Sequence, residues 1–213
     1  MPPPDPITLL KSVPVVPVLT IERVADAVPL ARALVAGGLP VLEVTLRTSV
    51  ALDAARAIIT EVPQAVVGIG TVTEVPDIRV ALSAGAHFLV SPGTPADLAA
   101  AMTRVSVPVL PGCATMSEAM ALAALGFPVV KFFPAEAAGG VAFLKSIGAP
   151  LPQLKFCPTG GIDARNAARY LTLPNVVAIG GSWVAPKDAI AAGDFARITA
   201  LAREAAALRG KSE

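Results

Sequence analysis

The feature that most constrains the fold of this sequence is a repeated alternation of short apolar runs with alanine-rich amphipathic stretches. The runs are rich in β-branched residues, which is typical of strands, and the stretches between them have helical spacing. The strand candidates are Val13–Leu19, Pro40–Leu46, Val66–Gly70, His87–Ser91, Val107–Pro111, Val129–Phe133, Leu154–Pro158 and Val176–Gly180. The helix candidates are Val24–Ala36, Val50–Glu61, Val75–Ala84, Pro95–Thr103, Ser117–Leu125, Val141–Ile147, Ala164–Leu171 and a last helical region at about Ala189–Leu208.

Repeated strand–helix units predict parallel strands joined by helical crossovers. Eight such units with nearly continuous apolar strands favour an α/β fold of the (β/α)₈ TIM barrel type. We expect one domain over residues 1–213, with a short N-terminal helix. The alternative is an open doubly wound sheet. The dinucleotide-binding fingerprint does not support that alternative, because GIGTVTE at 68–74 has Thr73 in place of its third glycine.

Charge and hydropathy narrow the class of partner. The formal net charge is +1, so there is no electrostatic footprint for nucleic acid or an anionic membrane. The apolar stretch Ala119–Val130 is shorter than the roughly 18 residues that a membrane span needs. The first residues lack the basic start and cleavage site of a signal peptide. We therefore expect a cytoplasmic protein with no membrane partner, which binds a small molecule at a local site.

Cysteine and histidine are scarce. Cys113 and Cys157 lie far apart without a CxxC motif, which predicts two free, buried thiols. With His87 as the single histidine, a His/Cys metal site has too few ligands. The number of Asp and Glu residues is sufficient for a carboxylate-based magnesium site, so residue counts do not exclude one.

A lysine interrupts an apolar strand in VVKFFPAE, residues 129–136. Burying an ammonium group is unfavourable unless the group is paired or neutralised. Lys131 could avoid burial by extending outward between helices, and the same interpretation holds for Lys155 near the start of the next strand. If Lys131 points inward, its burial requires a partner.

Polar residues follow several other strands, at the end where barrel enzymes form their sites. In LEVTLRT, Glu43 and Arg47 share one alternating face, so both enter the barrel if that face points inward. They could also form an ordinary ion pair between layers. PTGG at 158–161 and GGSW at 180–183 lie at the ends of the last two predicted strands. Their glycine pairs either form tight turns or provide backbone donors for a phosphate.

Together these residues predict a reaction in which a lysine attacks a carbonyl carbon. Desolvation and a neighbouring cation both lower the pKa of a lysine, and an uncharged lysine attacks carbonyl carbons. Lys131 is therefore the candidate nucleophile, Arg47 the binding residue for a carboxylate, and Glu43 the proton shuttle. With a phosphate at the glycine loops, the expected substrate has a carboxylate and a carbonyl at one end and a phosphate at the other.

The motifs LEVTLRT, GIGTV, SPGT, KFFPAE, FCPTGGI and IGGSW, in this order, resemble the 2-keto-3-deoxy-6-phosphogluconate (KDPG) aldolase family, which also carries 4-hydroxy-2-oxoglutarate (KHG) aldolase activity. The resemblance covers nearly the whole chain. It implies a class I aldolase without metal or other cofactor, a (β/α)₈ barrel and a homotrimer. Its substrates would be a 2-keto acid and a phosphorylated aldehyde. Thr20 departs from the arginine that some relatives have, which affects expectations for the distal part of the substrate.

The resemblance also implies a role for each matching residue. Lys131 is the Schiff-base lysine and Glu43 the general acid and base. The implied substrate-binding residues are Arg47 and Thr71 for pyruvate, Pro92 and Phe133 for the wall of its pocket, Thr159 for hydroxyl or carboxylate groups, and Gly160, Gly161, Gly181 and Ser182 for the phosphate.

Three alternatives use some of the same residues. A barrel isomerase or epimerase of a phosphorylated sugar would use Glu43 as its base, with Lys131 purely electrostatic. A non-catalytic barrel that binds a phospho-metabolite would explain the glycine loops alone. A metal-dependent aldolase would lose activity on chelation.

Overall fold

The computed structural model describes residues 5–208. Its strands are β1 Val15–Leu19, β2 Val41–Thr45, β3 Val66–Gly70, β4 Phe88–Val90, β5 Val109–Leu110, β6 Gly112–Cys113, β7 Val129–Phe132, β8 Lys155–Pro158 and β9 Ile179–Gly181. Its helices are α1 Pro6–Lys11, α2 Val24–Ala36, α3 Ala51–Glu61, α4 Val75–Ser83, α5 Ala96–Met102, α6 Met116–Ala124, α7 Gly140–Gly148, α8 Ala167–Leu171, α9 Lys187–Ala192 and α10 Phe195–Ala206. The predicted domain, residues 1–213, reaches beyond the described residues at both ends.

The strands pair in parallel, as the alternation predicted. One six-stranded sheet has the order β5-β4-β3-β2-β1-β9 and forms a half-barrel, and a three-stranded sheet has the order β6-β7-β8. Isolated parallel bridges join Phe156 to Val176 and Thr159 to Gly180. The carboxyl ends of parallel strands lie at one edge, so the polar residues that follow β2, β8 and β9 share the same end of the molecule.

The fifth predicted strand, Val107–Pro111, is interrupted. Proline has no backbone N–H to donate, and Pro111 separates β5 from β6. β5 pairs with β4, whereas β6 pairs with β7. The Pro111 carbonyl still accepts a hydrogen bond from the Lys131 backbone N–H at 2.8 Å. Pro111 therefore lies where the backbone passes from one sheet to the other.

The predicted helices are confirmed with small changes at their ends. α2 has the predicted bounds, and the predicted short N-terminal helix is α1, whose N-cap Asp5 accepts two backbone N–H bonds. The last helical region, predicted at about Ala189–Leu208, consists of the two helices α9 and α10. Gly193 adopts φ 69° and ends α9, and Asp194 then caps α10 through the Arg197 N–H.

Helices cover the sheets through one continuous cluster of buried apolar residues. Alanine is the commonest of the buried residues on the helices, and its small side chain lets helices approach each other and the strands closely. None of the described helices is long and apolar enough to cross a membrane.

The contact between α2 and α10 gives a test of this packing. A Cβ added at Gly37 would lie 2.4 Å from the Ala202 Cβ and 2.8 Å from the Thr199 carbonyl oxygen. Gly37→Ala should therefore lower the free energy of unfolding by about 1–3 kcal/mol through overpacking, measured by urea denaturation.

Gly93→Ala is the matched control, since a Cβ there meets no heavy atom within 4 Å. It should leave stability unchanged or raise it by up to about 1 kcal/mol. Equal stability of the two variants would contradict the close approach of α2 and α10.

Candidate active site

Lys131 points inward and meets Glu43. The Lys131 Nζ lies 2.9 Å from Glu43 Oε1 and 3.2 Å from Oε2, and both side chains are 3% exposed. The interpretation of Lys131 as an outward-pointing lysine is therefore wrong. β7 supplies the lysine from the three-stranded sheet and β2 supplies the glutamate from the six-stranded sheet. Burial is tolerated because each charge satisfies the other.

Gly70 leaves the space that the Glu43 carboxylate occupies. A Cβ at Gly70 would lie 2.2 Å from Glu43 Oε1 and 2.6 Å from Cγ. Gly70 pairs with Thr45 on the strand that carries Glu43. Sequence reasoning assigned no role to Gly70, although it directly precedes Thr71 in the quoted GIGTV motif.

The two thiols are inert neighbours of the site. Both are free and buried, as predicted. Burial raises the pKa of Cys157 to about 12, with the charge of Lys131 acting in the opposite direction and that of Glu43 in the same one. Burial and Glu118 raise the pKa of Cys113 to about 12. Neither group is a thiolate at neutral pH, so neither competes with Lys131 as a nucleophile.

Arg47 does not enter the interior beside Glu43. β2 ends at Thr45, and Arg47 lies exposed in the following turn, so the alternation of faces no longer applies to it. Its Nε donates to Thr71 Oγ1 at 3.3 Å. Thr71 has φ 62°, the one positive value for a non-glycine residue between residues 5 and 208. Strained backbone of this kind is concentrated at functional sites, where the surrounding structure maintains it.

Pro92 is fixed next to the lysine strand. A Cβ at Gly112 would lie 2.4 Å from the Pro92 carbonyl carbon, and Gly112 is the β-register partner of Lys131. Ser91 Oγ accepts the Gly112 N–H at 3.0 Å, and Thr94 Oγ1 donates to the Gly112 carbonyl at 2.9 Å. These bonds hold the SPGT loop beside the site.

A cavity of about 690 Å³ opens over this end of the strands. Seven of the predicted site residues line it: Arg47, Phe133, Thr159, Gly160, Gly161, Gly181 and Ser182. The remaining four, Lys131, Glu43, Thr71 and Pro92, are not in its lining. Phe133 connects the two groups, because its ring centroid lies 5.4 Å from the Lys131 Nζ and the residue lines the cavity.

The glycine loop after β8 is stabilised by contacts with Glu136, which in turn contacts Tyr170. Gly160 and Gly161 have φ 101° and 76°, which other residues rarely adopt. The Glu136 N–H donates to the Gly160 carbonyl at 3.1 Å, and a Cβ at Gly161 would lie 2.7 Å from the Glu136 Cβ. The Tyr170 hydroxyl in turn donates to the Glu136 carboxylate. Sequence reasoning missed this support, since nothing in the spacing links Tyr170 to KFFPAE.

Two charged residues at the cavity were also missed. Glu22 and Lys187 line it, and Lys187 Nζ lies 3.8 Å from Glu22 Oε1. In the described part of the chain no group of three or more His, Cys, Asp or Glu residues is arranged to hold a metal ion.

Comparison with known proteins gives the family. The family model described as "KDPG and KHG aldolase" matches residues 7–201. The chain belongs to this aldolase family. Among curated relatives, the 2-dehydro-3-deoxy-phosphogluconate aldolase of Pseudoalteromonas atlantica is 54% identical, over 91% of this chain and 90% of the relative. The KHG/KDPG aldolase of Escherichia coli K12 is 52% identical over 93% of each chain.

Solved structures agree with the assignment. KDPG aldolase from Legionella pneumophila, with pyruvate captured at low pH as a covalent carbinolamine intermediate, is 44% identical. It aligns with a TM-score of 0.92 over 94% of this chain and 98% of that chain. KDPG aldolase from Zymomonas mobilis ZM4, with 3-phosphoglycerate, is 48% identical with a TM-score of 0.89, over 95% of this chain and 96% of that chain.

The buried pair of this aldolase-family chain can be tested by stability alone. Lys131→Met and Glu43→Gln should each lower the free energy of unfolding by about 3 kcal/mol, because each leaves one buried charge without its partner. The double variant leaves no unpaired charge, so its cost should be about 2–3 kcal/mol less than the sum. Chemical denaturation of the four proteins measures this coupling.

The matched control is the exposed pair of Arg32 and Glu61, whose charged atoms lie 3.6 Å apart. Its double-mutant cycle should give a coupling of only about 0.2–1 kcal/mol. Additive costs at Lys131 and Glu43 would contradict a direct interaction between them.

Proposed function

We propose that this protein is a class I aldolase that cleaves KDPG to pyruvate and glyceraldehyde 3-phosphate, and KHG to pyruvate and glyoxylate. The observation that carries the proposal is a lysine amine that is almost fully buried and hydrogen-bonded to a single carboxylate, close to the wall of a polar cavity. The names of the relatives at 54% and 52% identity support the two substrates.

The reaction begins with proton transfer inside the pair. Glu43 takes a proton from Lys131, and the uncharged amine attacks C2 of the keto acid. A proton then passes from the nitrogen to the former carbonyl oxygen, which gives the carbinolamine. Glu43, through a water molecule, then protonates the departing hydroxyl of the carbinolamine, and loss of water gives the iminium. The carbinolamine trapped with pyruvate in the Legionella relative is the corresponding intermediate in that protein.

Cleavage uses the iminium as an electron sink. Glu43 removes the proton of the C4 hydroxyl, the C3–C4 bond breaks, and its electron pair moves toward the iminium nitrogen. The aldehyde leaves, and protonation of the enamine at C3 gives the pyruvyl iminium. Attack by water then releases pyruvate and restores the amine of Lys131. Because the iminium accepts the electrons, we propose that no metal or other cofactor takes part.

The remaining residues bind the two ends of the substrate. Arg47 and Thr71 hold the pyruvate carboxylate, which matches the donor geometry of a guanidinium beside a hydroxyl. Pro92 and Phe133 form the apolar wall of the pyruvate pocket, and Thr159 contacts a hydroxyl or carboxylate group. The phosphate is assigned to Gly160, Gly161, Gly181 and Ser182, which line the cavity. The donors that these residues have are backbone N–H groups and one hydroxyl, which suit a phosphate.

We also propose that the strands close into one (β/α)₈ barrel, in a single domain over residues 1–213. Two observations support closure. Only Pro111 separates β5 in one sheet from β6 in the other. On the opposite side, the bridge between Thr159 and Gly180 connects β8 to β9. Counted this way, β5 and β6 are the two halves of one barrel strand.

The assembly and location rest on the family resemblance and on charge. We propose a homotrimer in the cytoplasm. The near-neutral net charge of +1 supports the absence of a nucleic acid or membrane partner.

Trapping with borohydride tests the Schiff base. Incubation with pyruvate and borohydride should add a reduced pyruvyl group to the peptide that contains Lys131, located by mass spectrometry. Lys131→Met should abolish the adduct. Lys155→Met is the control, because Lys155 lies one strand away and donates to the Pro174 carbonyl at 3.2 Å.

An adduct on Lys155 would keep the reaction class and overturn the site. No adduct at all, with binding of phosphate esters intact, would favour the isomerase or the non-catalytic barrel.

The proton shuttle has its own test. Glu43→Gln should still bind pyruvate, but its kcat for KDPG cleavage should fall by about 10²–10⁴-fold, because an amide transfers no proton. Steady-state kinetics of KDPG cleavage measure the loss of turnover, and a separate titration with pyruvate measures whether binding is retained. A turnover close to that of the unmodified protein would rule out Glu43 as the acid and base.

A further inference from the structure

The cavity has an uneven distribution of charge. Among its lining residues the cations are Arg47 and Lys187, and the anion is Glu22. Arg47 is engaged with Thr71. The phosphate loops themselves offer only neutral donors, namely backbone N–H groups and the Ser182 hydroxyl. Of the two cations that line the cavity, Lys187 is the one nearer in sequence to Ser182.

The local backbone keeps Lys187 close to Ser182. Four residues lie between them in sequence, and the Ala185 N–H donates to the Ser182 carbonyl at 3.1 Å, which makes the connection a compact turn. Lys187 then begins α9, and it lines the same cavity as Gly181 and Ser182.

The contact between Lys187 and Glu22 is weak. The two charged atoms are 3.8 Å apart, and the side chains are 79% and 64% exposed. Pairs of this kind contribute little, so the lysine can exchange its partner for a stronger anion. Glu22 follows β1, the strand that pairs with β9, and it lines the same cavity, so its carboxylate would repel a bound phosphate.

We infer that Lys187 is a specificity-determining residue that binds the substrate phosphate, and that Glu22 is its internal competitor. This inference rests on the proposed function and names the charged group that its phosphate site uses. In the free protein Lys187 pairs with Glu22. When a phosphorylated substrate enters, the ammonium moves to the phosphate, which is a charge-assisted contact, and the carboxylate is left in solvent.

The test compares KDPG with 2-keto-3-deoxygluconate, the same keto acid without its phosphate. Lys187→Ala should lower kcat/KM for KDPG about 5- to 20-fold, mainly through KM, as expected for loss of a hydrogen bond to a charged group. For the unphosphorylated substrate kcat/KM should change less than about twofold. Lys187→Arg should restore most of the KDPG activity.

Glu22→Gln gives a change of opposite sign. Removing the competing carboxylate should raise kcat/KM for KDPG by about 2- to 5-fold, within the range of an exposed pair. Arg32→Ala is the matched control, because it removes one exposed cation away from the cavity. It should leave both substrates unchanged.

Equal losses on both substrates, or no loss on KDPG, would overturn the role of Lys187. Calorimetric titration with inorganic phosphate provides a measurement without turnover, in which Lys187→Ala should weaken binding about 5- to 20-fold. A protein that forms no pyruvate adduct but shows this loss would contradict the aldolase and keep Lys187 as a phosphate residue. If the protein forms the pyruvate adduct but Lys187→Ala binds phosphate as tightly as the unmodified protein, only the role of Lys187 is contradicted.

Discussion

The site depends on one buried ion pair. Lys131 and Glu43 come from strands of different sheets, and neither charge would be stable in this apolar interior alone. The pair therefore requires that β2 and β7 face each other and that the space between them stays open for the carboxylate. Gly70 meets the second requirement, since a side chain there would overlap Glu43. The buried pair of Lys131 and Glu43 therefore depends on a glycine at position 70.

The groups proposed for bond cleavage and those proposed for phosphate binding differ in how deeply they are buried. The groups assigned to bond cleavage are buried, where a low dielectric strengthens the interaction between their charges. The groups assigned to the phosphate line an open cavity and are mostly backbone N–H donors. Such donors are held in place by the loop, and here Glu136 and Tyr170 brace that loop from behind. In the proposed reaction, phosphate binding and bond cleavage thus use different parts of the strand ends.

The sequence predicted those features that depend on local pattern. β3 and α2 have the expected bounds, because strand and helix periodicities are local properties. Lys131 in VVKFF was conspicuous for the same reason. Arg47 was misplaced because a strand pattern does not reveal where the strand ends. The pairs of Tyr170 with Glu136 and of Lys187 with Glu22 join residues far apart in the chain, and only the tertiary fold brings them together.

The proposed reaction also explains why a carboxylate is a suitable partner for this lysine. Proton transfer within the pair gives a neutral amine beside a neutral acid, so the total charge of the buried site does not change. Once the iminium has formed, the nitrogen is again a cation, and Glu43 is again its anionic neighbour. Each stage therefore avoids leaving a single buried charge, which would require several kcal/mol of compensation, on the order of 3–5. A neutral proton acceptor in place of Glu43 would leave both the resting ammonium and the iminium without a counter-charge.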